Sequence, residues 1–91
     1  AKGAARLDAV HPARRMIWTT EQVNDVTVWR ADTVHAGEPI ALVVSPSPDG
    51  RWLARCGRGS TRDLAERGDL LTVEATAERA KACASGWARG A

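Results

Sequence analysis

Apolar and polar positions alternate, cluster and stripe in three different ways along this chain. Ile17-Trp18-Thr19-Thr20 and Val26-Thr27-Val28-Trp29 are rich in β-branched and aromatic residues, and Asn24-Asp25 between them is a turn signal. The pattern predicts a β-hairpin. The competing reading is a short helix opened by Thr20, with Glu21 and Gln22 in its first turn. His35-Ala36-Gly37-Glu38-Pro39 reads as a turn, because Gly and Pro punctuate it.

Ile40-Ala41-Leu42-Val43-Val44 is the longest unbroken apolar run and reads as a strand buried on both faces. Ser45-Pro46-Ser47-Pro48-Asp49-Gly50 is the plainest loop: Pro fixes φ, Asp bonds nearby backbone and Gly tolerates positive φ. Arg51 to Cys56 returns as the partner strand, so residues 40–56 form a second hairpin. After Gly57-Arg58-Gly59, Ser60 can cap a short helix with Asp63 in its first turn, and Gly68 can close it. An irregular loop is the alternative.

The period then changes. Val73, Ala77, Ala80, Ala84 and Trp87 recur at spacings of 4, 3, 4 and 3, one stripe of a helix capped by Thr72. The stripe is nearly all alanine, so the helix can lie close to a sheet. Together these elements predict an α+β fold: an antiparallel three- to four-stranded meander packed on a C-terminal α-helix. The opposite sheet face is left for solvent or a partner.

Residues 1–15 read as a flexible leader or extension, and residues 16–91 as a single small α+β domain. Met16 is the sole methionine, so translation starting there and a piece cut from a longer protein are both open readings. An apolar content of 44% with 26% charged residues excludes the composition of a disordered chain. No run approaches the roughly 20 apolar residues of a membrane helix, and no signal-peptide pattern opens the chain.

The net charge of +2 does not itself call for a nucleic acid. Its distribution is more telling. Arg51, Arg55, Arg58 and Arg62 fall in a window without an acid, whereas Arg30 stands among Glu21, Asp25, Asp32 and Glu38. Arginine outnumbers lysine eleven to two and alanine appears seventeen times. Such usage follows GC-rich codons and points to a high-GC bacterium or its phages.

Candidate chemistry is sparse. Cys56 and Cys83 permit one disulfide but read as two buried thiols in a reducing cytoplasm. His11, His35, Cys56 and Cys83 lack the close ligand pairing of zinc sites. Asp32, His35 and Cys56 carry no nucleophile signature, and Gly57-Arg58-Gly59-Ser60 is not a phosphate loop. The expectation is a non-enzymatic protein without metal or cofactor.

Surfaces remain. By period-two alternation Arg51, Leu53 and Arg55 share one face, while Trp52, Ala54 and Cys56 turn toward the alanine stripe. Arg30 joins the arginine face if Val26 and Val28 lie on it, and Arg58 and Arg62 extend it. A sheet so furnished can enter a major groove, its arginines reading guanine or neutralising phosphate. The ordinary alternative is a solvated face whose arginines pair with Asp49, Asp63 and Glu66. Trp52 and Trp87 suit the core; Trp18 and Trp29 can face each other across the first hairpin. Trp29 turned outward would be an anchor for a protein partner.

The order of three strands, the Pro-Asp-Gly-Arg-Trp hairpin and the Thr-Val-Glu-Ala to Ala-Lys-Ala helix resembles small sheet-plus-helix DNA-binding domains. The arm-binding domains of phage integrases and the AP2-type domains are of this kind. The likeness spans roughly residues 26–88 and implies a sheet laid in the major groove. The sixteen-residue segment 57–72 and Leu53 among the arginines depart from that pattern.

Two functional expectations result. One is a phage- or mobile-element-like accessory factor or inhibitor that docks on another protein. The other is a DNA-binding module using the arginine-bearing sheet face. The candidate partner-binding residues are Trp29, Arg30, Arg51, Arg55, Arg58 and Arg62: Trp29 as the anchor for a protein partner, the Arg51/Arg55 sheet face and the Arg58/Arg62 loop for DNA, with Arg30 joining the arginine face.

Overall fold

A computed structural model of the protein describes residues 16–89. The leader assigned to residues 1–15 lies outside them. Five strands follow one another as a simple antiparallel meander: β1 (Thr19–Val23), β2 (Val26–His35), β3 (Glu38–Pro46), β4 (Trp52–Gly57) and β5 (Asp69–Glu74). Two helices complete the chain, α1 (Thr61–Arg67) between β4 and β5, and α2 (Ala77–Ala88) after β5. The fold is α+β, with one strand more than the three or four expected.

Turn chemistry sets the first two hairpins. Asn24 and Asp25 adopt φ of 52° and 66°, and Ala36 and Gly37 adopt 53° and 80°. Two successive residues at positive φ match the right-handed twist of the flanking strands. The first turn pairs Thr20 with Trp29; the second pairs Asp32 with Ala41. The helix considered at Thr20 does not form. In the third loop Ser47 and Gly50 are bonded across the turn, and Asp49 accepts from the Ser47 hydroxyl and the Arg51 N–H. Arg51 therefore lies just before β4 rather than in it.

Alternation puts Leu42, Val44, Ala54 and Cys56 on one sheet face, where they meet Ala80, Ala84 and Ala88 of α2. Trp18, Trp29, Trp52 and Trp87 pack around this cluster. Thr76 is the cap of α2, its side chain accepting from the Arg79 N–H. The cap expected at Thr72 and the stripe position expected at Val73 both belong to β5 instead.

The other face is not left open. Ser60 caps α1 by accepting from the Asp63 N–H, and the Gly68 N–H closes it on the Leu64 carbonyl. Leu64 buries itself against Val28, Ala41 and Val43. Val26, Val28 and Arg30 do share this face, as β2 alternation requires, yet Val28 is buried because α1 covers it. Val26 remains exposed.

Gly68 is where α1 turns into β5. A Cβ there would stand 2.7 Å from the Leu64 carbonyl oxygen and 3.0 Å from the Arg55 Cβ. Gly68→Ala should therefore lower stability by about 1–3 kcal/mol, the usual cost of overpacking. Gly86 lies inside α2 with nothing within 4 Å of such a Cβ. Gly86→Ala should raise stability by about 0.5–1 kcal/mol through helix propensity. Urea denaturation of both variants checks the pair; equal effects would contradict the close approach at Gly68.

Candidate functional site

The six residues expected to bind a partner do not form one surface. Arg30 lies half-buried on the α1 face. Its Nη2 meets Asp32 at 2.9 Å, and its Nη1 donates to the Gly59 carbonyl at 3.0 Å and the Thr61 hydroxyl at 3.1 Å. The Asp32 hydrogen bond raises the Arg30 pKa against the opposing effect of burial. Arg30 thus ties β2 to the start of α1. Arg55, on the same face, donates from Nη1 to the Ala65 carbonyl at 2.8 Å and holds the other end of that helix.

Arg58 pairs with Glu38 at 2.5 Å on the surface, and Arg62 donates to the Asn24 side chain at 2.8 Å. Arg51 is exposed beside the 47–51 loop. Trp29 is on the opposite, α2 face, half-buried, with the Lys81 ammonium 3.8 Å from its ring centroid. The pairing of Arg55 with Val43, and of Val43 with Arg30, sets these two arginines in one cross-strand row. Arg51, Arg58 and Arg62 do not join that row, and Trp29 faces away from it.

Two shallow clefts flank the α1 face. One, of about 230 Å³, is lined by Arg30, Asp32, Ala41 and Gly57 among others; the second, of about 300 Å³, includes Cys56, Asp63, Arg67 and Asp69. Burial pushes the Cys56 thiol up, and the Asp69 charge adds to this, so the group stays a protonated thiol at neutral pH. Among the described residues, no group of three or more His, Cys, Asp or Glu is placed to hold a metal ion. His35, the last residue of β2, is half-buried. It stacks on Trp87 with centroids 4.0 Å apart, its Nδ1 3.1 Å from the Ala88 carbonyl at the end of α2.

Sequence patterning missed a different surface. β5 stands at the edge of the sheet, and its register opposite β4 shifts between Ala54 and Arg55. The shift lets Leu71 turn to the α2 core while Leu70 and Val73 both remain on the α1 face. Val73 lies opposite Leu53, and Leu70 opposite Arg55. Leu70 is 55% exposed and Val73 40%. Together with half-buried Leu53 they make an aliphatic patch beside α1. The signal available in the sequence was the run Leu70-Leu71-Thr72-Val73 between Asp69 and Glu74.

No family model, no curated protein and no solved structure matches the chain. The face that a groove-reading sheet would present to DNA is crossed here by α1.

On the α2 side, Thr72 donates to Glu74 Oε2 at 2.5 Å, Cys83 Sγ lies 3.5 Å from the same oxygen, and Arg79 Nε is 3.3 Å from Oε1. These partners lower the Glu74 pKa, the Thr72 hydroxyl foremost. Cys83 is exposed, contrary to the expectation of two buried thiols, and no disulfide joins it to Cys56. Desolvation and then the bond to Glu74 push its pKa up. The thiolate is the reactive form. Cys83 should therefore alkylate with iodoacetamide more slowly than an unperturbed thiol, and Glu74→Gln should speed it several-fold near pH 8. An unchanged rate would contradict the Glu74 contact.

Proposed function

We propose that the protein is a small non-enzymatic docking module, an accessory factor or inhibitor that acts by binding another protein through the Leu53–Leu70–Val73 patch. One observation carries this reading: two large aliphatic side chains stand exposed side by side on a strand at the sheet edge. The surface of Leu70 and Val73 that stays in water contributes nothing to folding, whereas desolvating it contributes about 25 cal/mol per Å² on association. An edge strand also offers backbone groups to a neighbour.

The DNA reading finds less support. Arg30 and Arg55 hold α1 in place through backbone and side-chain acceptors. Moving them to phosphates would leave those acceptors unpaired, at a cost of about 1–3 kcal/mol for each buried group. Arg58 and Arg62 make exposed contacts that are weakly held, but with Arg51 they do not lie in one row. Trp29 is covered by Lys81 rather than presented as an anchor.

The test uses the double variant Leu70→Lys, Val73→Lys beside Arg51→Ala. Both sites are exposed, so each variant should keep the wild-type circular dichroism spectrum. A partner bound by the wild-type chain should bind the double variant at least tenfold more weakly and Arg51→Ala almost unchanged. Duplex DNA binding that falls steeply with salt and is weakened by Arg51→Ala would overturn the reading in favour of phosphate contacts.

A further inference from the structure

We infer that β5 accepts a short, extended peptide segment of its partner as a sixth strand, and that the segment carries lysine or arginine around aliphatic residues. The inference rests on the docking reading and specifies its geometry and its ligand class. Among the described residues nothing pairs with the outer side of β5, which ends the sheet. The opposite edge, β1, reads Thr-Thr-Glu-Gln-Val, with all but its last residue exposed and polar. Within the strand it offers backbone but no exposed aliphatic side chain; the exposed Ile17 precedes it and Val26 belongs to β2. β5 offers both, because Leu70 and Val73 project on one face of the same strand.

Charge chooses the occupant. From Asp63 to Lys81, five carboxylates oppose Arg67, Arg79 and Lys81, a local charge of −2 in a chain of net charge +2; Arg79 pairs with Glu74 and Lys81 with Glu78, so the acidity is carried by Asp63, Glu66 and Asp69. Asp69 and Glu74 stand at the two ends of β5; Glu74 is held by Thr72 and Arg79, and Asp69 is exposed. A second copy pairing antiparallel over the whole strand would put Asp69 of each chain opposite Glu74 of the other. Like charges directly opposite destabilise a sheet pair. The register irregularity, a usual guard on open edges, interrupts the ladder as well. The carboxylates that repel a second copy attract a strand with basic residues at the matching positions. Backbone bonds then supply affinity, while the aliphatic patch and above all Asp69 supply selection. Because the irregularity divides β5, the ladder is short and the segment binds weakly by itself.

Three capped synthetic peptides test this against the isotope-labelled chain by NMR titration. Each alternates valine and threonine; one ends in lysines, one ends in glutamates, and one is the lysine peptide with alternate backbone nitrogens methylated. The lysine peptide should bind at least tenfold more tightly than the glutamate peptide, with shifts concentrated at residues 69–74, and methylation should abolish binding. Asp69→Lys should reverse the preference, and Leu70→Lys with Val73→Lys should remove binding while the fold persists. Equal binding of the two charged peptides, no binding at millimolar concentration, shifts centred elsewhere, or full binding after methylation would each overturn strand addition. If a protein partner still depends on Leu70 and Val73 while no peptide engages β5, docking stands and strand addition is wrong.

Discussion

The close contact between the alanine face of α2 and the sheet is the constraint on which the rest of the molecule depends. Ala80, Ala84 and Ala88 meet Leu42, Val44, Ala54 and Cys56, and all seven are buried. Alanine carries no side chain beyond Cβ, so the helix axis can approach the sheet closely and little volume separates them. The thin layer is then extended at its margins by four tryptophans, which supply the apolar area that alanine lacks. Lys81 over Trp29 and His35 against Trp87 close two points of that margin with polar groups. A small domain buries only a modest fraction of its surface, so a second layer on the other face matters to its stability.

That second layer is α1, and arginine holds it. Leu64 supplies the apolar contact with Val28, Ala41 and Val43. Arg30 and Arg55, neighbours in one cross-strand row through Val43, donate to groups at the two ends of the short helix. A seven-residue helix is marginal by itself. Its position comes from this apolar contact and these side-chain bonds. Because α1 is short, it covers the centre of the face and leaves the β5 side bare. Structure and available surface therefore follow from one arrangement: two helices of unequal length on the two faces of a five-stranded sheet.

The hairpins were legible because their turns carry specific chemistry. Asn24-Asp25 and Pro48-Asp49-Gly50 stand where the chain reverses, and between them lie a β-branched stretch and an unbroken apolar run. Ser60 and Gly68 likewise marked the ends of α1. β5 was hidden by a coincidence of phase. Thr72 and Thr76 lie four residues apart, and so do Val73 and Ala77, so the alanine stripe extends backward without a break. Either threonine can cap, and only the pairing of β5 with β4 decides for Thr76. The same concealment affected the site. With β5 unrecognised, Leu70 and Val73 had no sheet to be exposed on, and Arg55 pointed at solvent instead of the Ala65 carbonyl. Trp29 could be placed only once the register paired it with Thr20 and Val44, setting it on the α2 face.

The docking edge exists only if β5 is a strand with one unpaired side. Residue-resolved amide hydrogen exchange measures this directly. Amides of β3, central in the sheet and covered on both faces, should be the slowest to exchange. In β5, amides directed at β4 should be protected to an intermediate degree, and those directed away should exchange nearly as fast as loop amides. Uniform protection of residues 69–74 at the level of β3 would mean that the edge is already occupied. Uniformly unprotected amides there would mean that no fifth strand forms; either result would contradict the account.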